Sequence, residues 1–145
     1  CRKKLIKMTI KEKQQEIIDE FAFLEDWEQK YEYIIDLGKE LKGLPEDRKT
    51  DENLIKGCQS KVWVYPVFTD GKVHFEADSN TEITKGLVYL LWSIWNNQTP
   101  QEILNTELFF IDKIGMGRMI GSQRSNGFTS MIKQMKMYAL AYSNR

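Results

Sequence analysis

The order of sequence patterns predicts an α+β fold, in which several helices pack against a small antiparallel sheet. Helical stripes of apolar residues come first, two strand-like runs joined by Asp70-Gly71 follow, and further helical stripes complete the chain. Strands and helices do not alternate, which argues against a parallel doubly wound sheet.

Two amphipathic helices are predicted in the first third of the chain. The first carries apolar residues at helical spacing within residues 10–24, with Thr9 as its candidate N-cap. The second covers residues 27–41. We expect it to end at Gly43, because a glycine followed closely by Pro45 is a common helix stop.

A β-hairpin is predicted in the middle of the chain. Residues 62–68 are β-branched and aromatic, and residues 73–77 alternate between apolar and polar. Asp70-Gly71 between two such runs is a strong hairpin signal. Pro66 lacks an N–H group, which places the first strand at a sheet edge or at a bulge.

Three helices are predicted after the hairpin. A broad apolar face over residues 83–95 follows the cap residues at 78–81, and this helix is expected to be central. Residues 99–102 read Thr-Pro-Gln-Glu, a capping box with proline at the first helical position. The last helix is expected to begin near Ser125 or Asn126.

Composition excludes several classes of protein. Of the 145 residues, 41% are hydrophobic and 29% are charged, as in a globular protein rather than a disordered one. The 21 basic and 21 acidic residues balance, so the footprint of a general nucleic-acid binder is missing. No apolar run reaches the roughly 18 residues of a membrane span.

The cysteine and histidine counts restrict the chemistry. With only Cys1 and Cys58, neither a disulfide framework nor a cysteine-rich zinc site is expected. His74 is the single histidine, so a Ser-His-Asp or Cys-His site would have to use it.

The N-terminal residues are basic and have no apolar core, unlike a signal peptide. We expect residues 1–7 to be an extension that is non-native or disordered, with Met8 as the native start and residues 8–145 as a single domain.

Cys58 is the candidate reactive residue. It lies between a polar surface loop, predicted at residues 46–53, and the first strand. Gly57 before it permits a tight turn or a hinge, and a loop beside a rigid strand suits chemistry. The alternative is that Cys58 is a small buried hydrophobic residue.

Four blocks of sequence follow one another along the chain: Gly57-Cys58-Gln59-Ser60-Lys61-Val62-Trp63, the segment from Asp70-Gly71 to Asp78-Ser79, Lys85-Gly86-Leu87 and Arg124-Ser125-Asn126-Gly127, the last opening the final helix. In this order they resemble the SufE family, and the resemblance extends from about Met8 to the C-terminus. One departure is Asn80, where an aspartate is common in the family.

The resemblance implies a fold shared with IscU-type scaffolds and a function in iron–sulfur cluster assembly. Cys58 would accept persulfide sulfur from a pyridoxal phosphate-dependent cysteine desulfurase of the SufS type, stimulate that enzyme and pass sulfur to a SufBCD-type scaffold. The protein would be a cytoplasmic covalent carrier rather than a free-standing enzyme. No cofactor, metal, nucleic acid or membrane is implied, and it would be a monomer or a homodimer.

Other residues of the motifs are expected to support the cysteine loop. Gln59 and Ser60 would shape it through hydrogen bonds. Trp63 either walls the sulfur site or packs in the core. Arg124 either pairs with a carboxylate such as Asp78 or lies near the cysteine loop.

There are three alternatives to a sulfur carrier. An interaction module that activates a desulfurase without covalent transfer stays open. An IscU-type cluster scaffold is disfavoured, because cluster ligation normally takes several cysteines and this chain has one internal cysteine. An independent thiol enzyme lacks a resolving cysteine and an evident base.

Overall fold

The computed structural model describes residues 9–55 and 61–144, and of residues 116–127 it describes the backbone alone. This part of the chain has six α-helices and a two-stranded antiparallel sheet, which confirms the α+β prediction. The elements are α1 (Ile10–Phe21), α2 (Trp27–Gly38), a 3₁₀ turn (Glu46–Arg48), β1 (Val62–Thr69), β2 (Lys72–Ser79), α3 (Glu82–Trp95), α4 (Pro100–Leu104), α5 (Phe110–Lys113) and α6 (Met116–Ser143).

Two of the predicted helix starts are confirmed by their capping hydrogen bonds. The Thr9 hydroxyl accepts the N–H of Glu12, whose carboxylate accepts the N–H of Thr9. The same reciprocal pair joins Thr99 and Glu102 at the start of α4. Each cap satisfies N–H groups that would otherwise lack an intrahelical partner, and is typically worth about 1 kcal/mol.

The predicted end of the second helix is wrong, because α2 ends at Gly38 rather than at Gly43. The N–H groups of the next residues, including Leu41, donate to carbonyls only three residues back, so the helix tightens and stops. The chain then turns so that Leu41 and Leu44 both reach the core. The apolar spacing predicted Leu41 as buried but missed the change of direction.

The predicted start of the last helix is also wrong. Helix α6 begins at Met116, and a short helix that was not predicted, α5, precedes it. Gly117, Gly121 and Ser122 lower helix propensity in the first turns of α6. Because of these residues, Ser125 and Asn126, which are good cap residues, resemble the start of the helix.

The hairpin forms as predicted. Asp70 and Gly71 have φ values of 55° and 77°, as expected at the two central positions of a type I′ turn. Pro66 lies opposite Phe75, whose N–H donates to Asn96 Oδ1 on the edge away from β1. Proline therefore stands where the ladder needs no donor, which confirms the prediction of an edge position.

Helix α3 is the centre of the core. Its residues Leu90, Leu91, Ile94 and Trp95 are essentially inaccessible to solvent. They share a core cluster with one face of the hairpin and with residues from all of the other helices. Among the described helices, none is both long enough and apolar enough to cross a membrane.

Two glycines allow α2 and α3 to pack with their backbones in contact. A Cβ atom on Gly38 would lie 2.7 Å from the backbone nitrogen of Gly86. A Cβ atom on Gly86 would collide with the carbonyl oxygen of Ile34 and with its Cγ2 atom. No side chain fits at this crossing, because the obstacle is largely backbone that cannot move aside.

We predict that Gly86→Ala destabilises the protein by about 3 kcal/mol, near the upper end for overpacking. In an unconstrained helix the same change would stabilise the protein by up to about 1 kcal/mol, so the sign of the change in unfolding free energy distinguishes the two cases. Urea denaturation measures it. Gly71→Ala is the control: it adds no contact and should cost only about 1–2 kcal/mol through its left-handed φ. A Gly86→Ala protein as stable as wild type would contradict the close packing.

Candidate functional site

The candidate acceptor Cys58 and three of its predicted supporting residues, Gly57, Gln59 and Ser60, lie outside the described residues. We call residues 56–60 the cysteine segment. The structure describes both ends of the fold to which it connects, residues 53–55 before it and residues 61–63 after it. The site is therefore built from these two ends and from the side chains that hold them.

Backbone hydrogen bonds join the two ends of the cysteine segment. The N–H of Ile55 donates to the carbonyl of Val62 over 2.8 Å, and the N–H of Val64 donates to the carbonyl of Asn53 over 2.9 Å. Leu54 forms a bridge with Trp63 between these two bonds. Residues 53–55 thus lie along the outer edge of β1, so that the two ends of the cysteine segment are close together.

Asn80 holds the second end from the other side. Its Oδ1 accepts the N–H of Lys61 over 2.9 Å, and its own N–H donates to the Lys61 carbonyl over 3.1 Å. This position is the one departure from the family pattern. An aspartate oxygen could accept the same N–H, so the observed contact does not require a negative charge.

The outer face of the hairpin carries the aromatic side chains beside these ends. Trp63 lies opposite Asp78 in the strand register, so the two side chains share one face. Trp63 is half-buried and is not part of the core cluster. Trp63 thus lies on the outer face of the hairpin and outside the core cluster, and its role beside the cysteine segment stays a prediction.

Asp78 is a buried carboxylate at the end of β2, with 7% of its surface exposed. Its Oδ1 accepts the N–H of Ser79 at 2.8 Å and lies 3.4 Å from Lys85 Nζ. Its Oδ2 accepts the N–H of Leu44 at 3.2 Å and lies 3.3 Å from Lys49 Nζ. Each oxygen therefore has one backbone donor and one lysine.

Burial alone would raise the pKa of the Asp78 carboxyl. Hydrogen bonds from Ser79, Leu44 and Lys49, together with the positive charge of Lys85, outweigh that effect and hold its pKa below the usual range. The carboxylate is therefore ionised at neutral pH. Through these contacts the Asp78 carboxylate links three segments: the chain after α2, the end of β2 and the start of α3.

The segment after α2 crosses the outer face of the hairpin. Lys49 Nζ lies 5.4 Å from the centre of the Trp63 ring, and the Arg48 guanidinium lies 4.4 Å from that of Tyr65. Arg48 also forms a 2.7 Å ion pair with Glu76. These cations cover aromatic rings that would otherwise face water.

Sequence reasoning missed Lys49, Gly43 and the central role of Asp78. Residues 46–53 have the composition of a solvated loop, which hides the contacts of Lys49. Gly43 was interpreted as a helix stop; its φ of +83° and missing side chain instead make room for Asp78, whose Oδ2 a Cβ atom would approach to 2.8 Å. An aspartate beside an apolar strand and a lysine seven residues further on were the available signals.

The remaining candidates lie at two other positions. Arg124 is within α6 rather than at its start, and its side chain is outside the described residues, so its pairing with Asp78 stays a prediction. His74 is half-buried in β2, opposite Val67. It lies on the same face as Trp63 and Asp78, four residues before the latter.

We predict that Asp78→Asn destabilises the protein at pH 7 by about 2–4 kcal/mol, because an amide nitrogen would face donors that now meet an oxygen. Since the folded pKa is depressed, the charge-dependent stability is present above the unfolded pKa of about 3.9 and is lost as pH falls through the folded value. Urea titrations from pH 7 to pH 3 measure both effects.

The matched control for Asp78 is Glu76→Gln, on the same strand. Its pair with Arg48 is partly exposed and should be worth less than about 1 kcal/mol. If both variants lost the same unfolding free energy, Asp78 would not be the buried carboxylate that stabilises the fold. The same would follow if Asp78→Asn left the pH dependence of the unfolding free energy unchanged.

A solved structure of similar fold is the solution structure of a hypothetical protein from Thermus thermophilus. It matches this chain with a TM-score of 0.76, covering 92% of this chain and 97% of that one at 15% sequence identity. At this identity the likeness shows the fold alone, and it agrees with an α+β architecture of the SufE type.

Sequence relatives extend over most of the chain. An uncharacterized SufE-like protein of Rhizobium meliloti is 40% identical over 129 residues, covering 86% of this chain and 92% of the relative. Another, of Rhizobium etli, is 41% identical over 127 residues, covering 83% of this chain and 85% of the relative. The family model for SufE, described as an Fe-S metabolism associated domain, matches residues 15–139. The chain belongs to the SufE family.

Proposed function

We propose that this protein accepts persulfide sulfur on Cys58 from a pyridoxal phosphate-dependent cysteine desulfurase of the SufS type. It stimulates that enzyme and passes the sulfur to an iron–sulfur cluster scaffold of the SufBCD type. The observation that carries the proposal is family membership together with a cysteine in the motif Gly57-Cys58-Gln59-Ser60. It acts as a cytoplasmic covalent carrier.

The anchoring of the cysteine segment supports this proposal. Its two ends are tied to β1 by Ile55 and Val64 and to the end of β2 by Asn80. A cysteine borne on a short segment between rigid ends can be presented to a partner's active site without a rearrangement of the core. We expect Gly57 to act as the hinge of that segment, since glycine adopts the widest range of backbone conformations.

The transfer step is a thiol–disulfide-type exchange at a persulfide. The Cys58 thiolate attacks the terminal sulfur of the desulfurase persulfide, a new S–S bond forms on Cys58 and the desulfurase S–S bond breaks. The desulfurase cysteine leaves as a thiolate, and the proton stays on the transferred sulfur. Oxidation state is conserved overall, so the exchange needs no external oxidant or reductant.

The partner's active site supplies much of the thiol activation. An ordinary cysteine with a pKa of about 8.5 is only a few per cent thiolate near neutral pH, and the thiolate is the nucleophile. Activation inside the complex would leave the resting thiol less reactive towards oxidants.

The first test is intact-protein mass after incubation with a SufS-type desulfurase, pyridoxal phosphate and cysteine. We predict adducts of one or more sulfur atoms on wild type that disappear with reductant. Cys58→Ser should carry none, whereas Cys1→Ser, which leaves Cys58 intact, should carry them like wild type. Cysteine turnover is measured in the same samples.

The result that overturns covalent transfer is the absence of adducts on wild type while desulfurase turnover still rises. That result would make the protein an activating interaction module, as would full stimulation by Cys58→Ala. Adducts on Cys1 instead of Cys58 would move the acceptor to the other thiol.

A second prediction concerns pH. Alkylation of Cys58 in isolated Cys1→Ser protein should follow a thiol pKa near its ordinary value of about 8.5, since activation comes from the partner. Sulfur transfer within the desulfurase complex should stay fast well below that pH. The two pH–rate profiles, measured side by side, check this. A strongly depressed thiol pKa in the isolated protein would contradict activation by the partner.

A further inference from the structure

We propose that residues 45–54, which we call the strap, open as a unit separate from the rest of the fold, and that Arg48 and Lys49 hold the strap closed. In the closed form these two cations cover the rings of Tyr65 and Trp63 on the outer face of the hairpin. The opening is a property of the protein alone and does not depend on which residue accepts sulfur.

The strap contributes no side chain to the core. Leu44 before it and Ile55 after it are buried, with 8% and 5% of their surfaces exposed, whereas no residue from 45 to 54 is buried. Segments with few buried apolar contacts open at a lower free-energy cost than the core does. The strap can therefore leave the hairpin while both of its ends stay anchored.

Arg48 makes the first attachment of the strap to the hairpin. Its guanidinium forms a 2.7 Å ion pair with Glu76 on β2 and lies 4.4 Å from the centre of the Tyr65 ring on β1. The side chain of Asn53 donates a 2.7 Å hydrogen bond to the Arg48 carbonyl, which ties the second half of the strap to the first. We therefore expect the strap to move as one piece.

Lys49 makes the second attachment. Its Nζ lies 3.3 Å from Asp78 Oδ2 and 5.4 Å from the centre of the Trp63 ring. Glu46, 3.5 Å from the same ammonium, belongs to the strap and moves with it. When the strap opens, Asp78 keeps Lys85 and its two backbone hydrogen bonds. The open form therefore leaves no buried charge unpaired, which keeps the cost of opening low.

The two edges of the hairpin differ in how they are covered. Val64 on β1 and Val73 on β2 are both 0% exposed, and each donates its N–H away from the other strand. Val64 donates to the Asn53 carbonyl over 2.9 Å, and Val73 donates to the Gln98 carbonyl over 2.8 Å. Residues 96–98 are uncharged and directly follow α3, so we expect the cover of Val73 to open only together with that helix.

Opening of the strap would present an aromatic surface. Trp63, Tyr65 and Val67 alternate with the buried residues of β1, so their side chains share the outer face, and each is half-buried. Tryptophan and tyrosine are enriched at protein interfaces. The closed strap thus withholds two rings that a partner could bind, and its two cations set how often they are uncovered.

The test is hydrogen exchange of the Val64 and Val73 amides, followed by NMR and corrected for their intrinsic rates. In the wild type, Val64 should exchange faster than Val73, and its rate should depend only weakly on low concentrations of urea because opening exposes little surface. Lys49→Met and Arg48→Met should each speed exchange at Val64 about three- to tenfold, since they remove a charge and keep an apolar side chain. Lys49→Arg should exchange like wild type.

The matched control is Ile103→Val, in the core at α4. It lowers the stability of the whole fold but leaves the strap contacts intact. It should therefore speed exchange at Val73 about two- to tenfold and leave Val64 unchanged. Lys30→Met removes a lysine 4.7 Å from the centre of another tryptophan ring, that of Trp27, and should also leave Val64 unchanged.

Three results would overturn the proposal. If Val64 and Val73 exchanged at the same rate with the same urea dependence, the strap would open only when the whole protein unfolds. Faster exchange at Val64 in Ile103→Val would mean the same. If Lys49→Met and Arg48→Met both left Val64 unchanged, the two cations would not hold the strap closed. No desulfurase is present in these measurements, so they succeed or fail independently of the sulfur-transfer experiment.

Discussion

The Asp78 carboxylate is the constraint around which the site is arranged. A buried anion is tolerated only when its oxygens are fully satisfied, and here each oxygen needs one backbone N–H and one lysine. Those donors come from the turn after α2, from the end of β2 and from the first turns of α3. If one of the three segments shifted alone, the carboxylate would lose a hydrogen-bond donor or a lysine. The three segments are therefore positioned as one unit.

The packing of α2 on α3 supports that unit from below. Gly86, where the two backbones meet, directly follows Lys85, one of the lysines that neutralise Asp78. The crossing therefore fixes how closely α3 packs against α2, and with it the position from which Lys85 reaches the carboxylate. The next layer outward is made by Lys49 over Trp63 and by Asn80 on Lys61. A backbone contact, a buried charge and these two contacts thus connect the helix crossing to residues 61–63, the second end of the cysteine segment.

Much of the fold could be predicted from local patterns, because periodicity and turn chemistry act within a few residues. The capping boxes at Thr9 and Thr99, the Asp70-Gly71 turn and the edge position of Pro66 all depend on near neighbours. The errors came where distant contacts decide. Helix α2 stops early so that Leu41 and Leu44 can enter the core, and α6 starts early despite its glycines. The site divides in the same way: the motif points to Cys58, but the contacts of Lys49 span residues 46–78, which no local pattern encodes.

The edges of the hairpin have a consequence for how partners can bind. The outward backbone of β1 is occupied by residues 53–55 and then interrupted by Pro66, and that of β2 is occupied by Asn96 and Gln98. At these positions the sheet offers no free ladder on which a foreign strand could pair. Edge-to-edge aggregation is discouraged there, as in sheets whose borders are blunted by proline or covered by loops. A partner that contacts the sheet at these positions would then bind through side chains, and could dock and leave repeatedly without joining the sheet.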